Sequence, residues 1–103
     1  MPATIIIKGI GRRIIFFDER DRQQFRWSLS LLPHHMANDL CTFEHCCDVV
    51  SVEFSSFSAT VTIQPVQWTP AQVAKFLCMV YDSYYRRRYH CDGKQCEYRI
   101  TEK

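Results

Sequence analysis

The chain reads as an α+β sandwich, a mainly antiparallel sheet with two helices on one face, in the order ββαββαβ. Three observations predict this. Thr4 to Phe17 and Val49 to Pro65 each hold two strand-like apolar runs around turn residues, as hairpins do. Two other stretches open on helix caps and continue with apolar residues at helical spacing. A last alternating run closes the sequence. The 103 residues suit a single domain, 1–103, with one core.

In the first stretch, Ile5, Ile6 and Ile7 and then Ile14, Ile15, Phe16 and Phe17 flank Gly9-Ile10-Gly11-Arg12. Glycines at alternate positions between β-rich runs predict a turn and so a first hairpin. Neither arm alternates apolar with polar, unlike a strand packed on one side only. Either a curled sheet covers both faces within the fold, or another chain covers one; the second reading, the one adopted, predicts a partner-binding or dimer surface made of Ile5, Ile6, Ile7, Ile14, Ile15, Phe16 and Phe17.

Asp18 is the cap of a first helix, with Glu19 and Asp21 favoured in its first turn by the helix dipole. Phe25, Leu29 and Leu32 give it one buried face, and Trp27 and Leu31, off that stripe, widen it or form a second contact. Pro33 stops it. The polar connection from His34 to Asp48 has room for a short helical turn around Met36 to Leu40. In the second hairpin Val50, Val52 and Phe54 alternate with Ser51, Glu53 and Ser55, and Val61 and Ile63 with Thr60, Thr62 and Gln64, the pattern of a sheet with one wet face. Thr69-Pro70-Ala71-Gln72 predicts a capping box with proline in the first helical position. Val73, Phe76, Leu77, Val80 and Tyr84 follow at helical spacing up to about Tyr89. Asp92-Gly93 marks a turn. Cys96, Tyr98 and Ile100 then alternate with Glu97 and Arg99 as a last strand.

The runs VVSVEFSSFSATVTIQP and WTPAQVAKFL, from Val49 to Leu77, resemble the strand, turn, strand, helix rhythm of ferredoxin-like heavy-metal-associated domains, and ATIIIKGI resembles their first strand. The resemblance implies a ferredoxin-like layout. That family's metal loop sets two cysteines straight after the first strand. Here Gly11, Arg12, Arg13 and Ile14 stand there, so no metal delivery is implied.

The formal net charge of +2 is too small to announce a polyanion partner. No basic segment precedes an apolar run at the N-terminus, and no run approaches the ~18 apolar residues of a membrane helix. A cytoplasmic protein with no membrane contact is expected, and with it reduced thiols. Cys41 with Cys46 and Cys91 with Cys96 are the pairs that zinc would take, with His45 and His90 as substitutes. Their four-residue gaps are tolerated by zinc but not diagnostic. The other readings are a disulfide formed in air and small buried hydrophobes, the latter for Cys47, Cys78 and Cys96. No metal or other cofactor is expected.

Tyr85, Arg86, Arg87 and Arg88 end the second helix. Arginines beside stacking aromatics suit nucleic acid or an acidic partner. They equally suit a helix C-terminus, where cations meet the last carbonyls, and that is the role expected. No phosphate loop, nucleophile elbow or zinc-protease motif is present, and His34, His35, Glu44 and His45 read as surface residues. The expectation is a non-enzymatic, protein-binding regulator, inhibitor or accessory subunit, of a kind suited to a phage or mobile element, acting through the first hairpin. The alternative is a zinc-stabilised or nucleic-acid-binding module.

Overall fold

The structure, a computed structural model, describes residues 2–31 and 47–102. Strand β1 (Ala3–Gly9) ends in a single 3-10 turn (Ile10–Arg12), and a connection leads to helix α1 (Glu19–Leu31). Strands β2 (Cys47–Phe54) and β3 (Ser58–Pro65) form a hairpin, followed by helix α2 (Pro70–Tyr89) and strand β4 (Cys96–Glu102). The strands lie in the order β2-β3-β1-β4, each antiparallel to its neighbours. Two split β-α-β units are thus interleaved, with β3 between β1 and β2, and β1 between β3 and β4.

The period of two along β1 decides what is covered. Ala3, Ile5 and Ile7 are buried, and Thr4, Ile6 and Lys8 are half-buried on the opposite face. The same alternation in β3 buries Ala59, Val61 and Ile63. These join Phe25 and Leu29 of α1 and Val73, Leu77 and Tyr81 of α2 in one core, so both helices cover the same face. Each large aliphatic side chain buried here contributes about 1.5–3 kcal/mol. Aromatic packing links the layers: Phe16 meets Phe25 edge-on at 5.8 Å and Phe54 at 5.1 Å between ring centroids.

The expected first hairpin is not formed, and the element order is βαββαβ. Beyond β1, Gly11 and Arg12 both take left-handed backbone angles and turn the chain away from the sheet. Ile14, Ile15, Phe16 and Phe17 form no strand. A short continuous apolar run satisfies a wedge between sheet and helices as well as it satisfies a strand, and Ile15 and Phe16 lie fully inside the core. The absence of a polar face in this run reflects that wedge and not a second sheet surface.

Three smaller expectations also change. In β2 the register shifts between Val49 and Ser51, so Val50 is the extra residue of a bulge and is 64% exposed. Trp27 is 54% exposed and does not widen the buried face of α1. In α2 the buried stripe is Val73, Ala74, Leu77, Cys78, Tyr81, Asp82 and Tyr85, rotated from the purely apolar stripe, and Phe76, Val80 and Tyr84 are half-buried. The capping box at Thr69 and Gln72 is formed in both directions, at 3.2 and 2.8 Å. Asp18 caps α1 by accepting the Asp21 N–H at 3.1 Å. Leu32, Pro33 and the turn expected at Met36 to Leu40 lie outside the described residues. Among the described residues, no helix is long and apolar enough to cross a membrane.

Candidate protein-binding surface

The connection from β1 to α1 is held in a conformation that few sequences allow. A Cβ on Gly9 would stand 2.1 Å from the Arg13 carbonyl oxygen, so only glycine fits there. Gly11 then takes φ 64° and Arg12 φ 62°. Arginine adopts that angle at a cost of about 1–3 kcal/mol, and such strain persists only where the surroundings over-determine it. Here they do. The Gly9 N–H donates to the Phe57 carbonyl and the Ile10 N–H to the Gln95 carbonyl, both at 3.0 Å. The Ile15 and Phe16 N–H groups donate to the Ser56 carbonyl at 3.0 and 3.2 Å. From beneath, the hydroxyl of buried Tyr85 donates to the Ile14 carbonyl at 2.9 Å, and the Tyr81 hydroxyl donates to the Ile15 carbonyl.

This anchoring sorts the apolar run. Ile15 and Phe16 point into the core, while Ile14 is left 37% exposed and Phe17 56% exposed. Ile10 and Phe57, tied to the same end of the sheet by the hydrogen bonds above, are exposed as well. Arg12 and Arg13, both exposed, lie in sequence between Ile10 and Ile14. Only the Phe17 ring has a described aromatic neighbour, Tyr89 at 5.1 Å.

Of the seven residues predicted for a partner surface, Ile5, Ile7, Ile15 and Phe16 are core and unavailable to a partner. Ile6 is half-buried on the sheet face opposite the helices, and Ile14 and Phe17 stay outside. The arginine-tyrosine helix end is largely committed to the fold. Tyr85 is buried; burial pushes its hydroxyl above the usual tyrosine range. Arg86 pairs with Asp82 at 3.1 Å. Arg87 is exposed and donates to the Ser83 carbonyl at 3.3 Å. Arg88 bridges Asp18 and Asp21 and donates to the Tyr84 hydroxyl. Its hydrogen bond holds the Asp18 carboxyl down at about 2, helped by the Asp21 N–H.

The sequence reading missed the buried polar groups that fix this surface. Asp21, read from the sequence only as an acid favoured in the first turn, is fully buried. Its carboxylate accepts the Phe17 N–H at 2.9 Å, the Tyr84 hydroxyl at 2.6 Å, the Tyr89 hydroxyl at 2.7 Å and the Arg88 guanidinium. Burial, then the hydrogen bond to Asp21, raises the Tyr84 and Tyr89 hydroxyls above their ordinary range. Asp82 is buried in α2 and accepts the Gln95 and Cys96 N–H groups at 2.6 and 3.1 Å. The side-chain partners of Asp21 lie more than sixty residues away, on a helix rich in tyrosine, whereas the partners of Asp82 lie within fourteen residues of it.

Cys41, Cys46, His45, His34, His35 and Glu44 lie outside the described residues. Cys78, Cys91 and Cys96 carry free thiols, and Cys47, Cys78 and Cys96 are buried. Burial pushes the Cys78 and Cys96 thiols up, which makes them small core hydrophobes in their behaviour. Among the described residues, no three His, Cys, Asp or Glu side chains group as metal ligands would. A scan against protein-family models finds no match to this chain, and a search of curated proteins finds none either.

Proposed function

We propose that the chain is a small non-enzymatic regulator, inhibitor or accessory subunit that holds a protein partner, or a second copy of itself, at the β1–α1 end. The observation that carries this reading is the pair Ile14 and Phe17: large apolar side chains left in solvent on a backbone that two buried tyrosines and the β2–β3 turn hold fixed. Apolar anchors on a rigid backbone lose little conformational entropy on binding, which is what interface anchors need. The buried carboxylates support a binding role over a catalytic one. Asp21 and Asp82 are each engaged by donors within the fold, Asp82 by two backbone N–H groups and the Arg86 guanidinium, so neither carboxylate is left free to take a proton from a substrate.

The double variant Ile14→Asp with Phe17→Asp tests this. Both side chains are exposed, so the melting temperature is expected to stay unchanged. Cross-linked capture from the native cell is expected to lose the specific partner, or light scattering to show a dimer becoming monomer. An identical captured set together with an identical mass, for parent and variant, overturns the reading.

A further inference from the structure

The sheet has two edges, and they differ. The β2 edge is broken by its bulge between Val49 and Ser51, which disrupts the ladder a new strand would need. The β4 edge is unbroken: its seven residues pair with β1 in continuous register, and among the described residues no strand lies on the other side. Alternate N–H and C=O groups of β4 therefore face outward as a template. Beside this edge, between α2 and β4, runs a groove of about 390 Å³. Its apolar parts are Met79, 60% exposed, and Tyr98, 39% exposed. Its charged groups are the cations Lys75, Arg86 and Lys94 and the carboxylate Asp82. Arg86 is paired with Asp82, while Lys75 and Lys94 have no ion-pair partner among the described residues.

The geometry points to β-strand addition: an extended acidic segment of a partner protein pairs with the free edge of β4 and places an apolar side chain in the α2–β4 groove between Lys75 and Lys94. Main-chain hydrogen bonds supply affinity in this mode, and alternate side chains supply specificity. Every second side chain of the added strand points to the helix-covered side. There it meets Tyr98 and Met79 at its centre and a lysine at its flanks, so carboxylates flanking an aromatic residue match the site. A second copy of this chain fits less well, because edge-to-edge pairing about a two-fold axis brings the same cations face to face. This surface is distinct from Ile14 and Phe17, and its fate does not depend on theirs.

The probe is a blocked, fluorescent heptapeptide, Thr-Glu-Thr-Phe-Thr-Glu-Thr, with a control carrying Lys in place of both Glu. Saturable binding of the acidic peptide is expected, weaker by at least about tenfold for the basic one. The exposed double variant Lys75→Glu with Lys94→Glu is expected to lose at least about tenfold in affinity for the acidic peptide. Hydrogen exchange of the outward β4 amides is expected to slow in the complex. The Ile14→Asp and Phe17→Asp double variant keeps this binding, which separates failure here from failure of the β1–α1 surface. No saturable binding, equal binding of both peptides, binding without slower β4 exchange, or β4 amides already protected by self-association of the free protein overturns the inference.

Discussion

Two buried aspartates hold the two halves of this molecule, and they do so differently. Asp21, on α1, gathers three side-chain donors from α2 and one backbone N–H from the connection before α1. Its charge is answered by Arg88, which also holds Asp18. Asp82, on α2, takes two backbone N–H groups at the start of β4 and the Arg86 guanidinium one turn further on. The first is a clasp between helices, built from side chains brought together by the fold. The second completes the start of a strand whose amides would otherwise be buried without acceptors. A clasp acts on the position of whole elements, whereas a satisfied turn acts on a few residues.

That contrast sets the order of effects. Asp21→Ala is expected to be the most damaging substitution, at about 3–4 kcal/mol for four hydrogen bonds worth about 1 kcal/mol each. Denaturant unfolding measures it, and exchange is expected to accelerate across both helices. Asp82→Ala leaves two backbone donors unmet and is expected to cost about 2 kcal/mol. Its signature is local: the Gln95 and Cys96 amides exchange faster by at least about tenfold while α1 is unaffected. Similar exchange patterns in the two variants would erase the distinction.

The arginines sharpen it next. Arg88→Gln is expected to destabilise more than Arg86→Gln, and Arg87→Gln least, because Arg88 serves a fully buried carboxylate, Arg86 a nearly buried one, and Arg87 only a carbonyl in solvent. The melting temperatures of the three single variants check this ranking. Arg87 reaches only a carbonyl of its own helix one turn back, as a cation at a helix end does, whereas Arg88 reaches across to two carboxylates of the α1 end.

What the sequence disclosed follows the range of each interaction. Caps are local, so Asp18 and the Thr69–Gln72 box were legible. Alternation is local too, and it placed Val61, Ile63 and Cys96 inside. The Ile14 to Phe17 run was misread because four apolar residues in a row fit a strand or a wedge equally well, and the hydroxyls of Tyr81 and Tyr85 that decide between them come from 66 and 71 residues away. Ile14 and Phe17 therefore stood among the predicted surface residues for a reason that did not hold, a hairpin face that does not form. Asp21 and Asp82 were illegible because hydropathy ranks a buried, saturated carboxylate with surface acids. The groove beside β4 depends on where α2 settles against an edge strand, which no local pattern records.

The smallest expected effect separates the exposed arm of the Arg88 clasp from its buried arm. Asp18 shares Arg88 with Asp21 but is exposed. In the folded chain the Arg88 hydrogen bond lowers its carboxyl to about 2, against about 3.9 in an unfolded chain. A depressed folded value means that the unfolded chain binds the proton first on acidification, so protons pull the equilibrium toward unfolding. The contribution of Asp18 is complete above about pH 4, fades as pH falls from about 4 to about 2, and is absent below that window. Asp18→Asn is therefore expected to flatten the pH dependence of stability in this window and to leave the slope above about pH 5 unchanged. Added salt is expected to shrink the same term, because screening weakens exposed pairs most. Urea unfolding of parent and Asp18→Asn at a series of pH values reads both effects. Parallel curves through the window would show that Asp18 contributes nothing to the acid sensitivity of the fold.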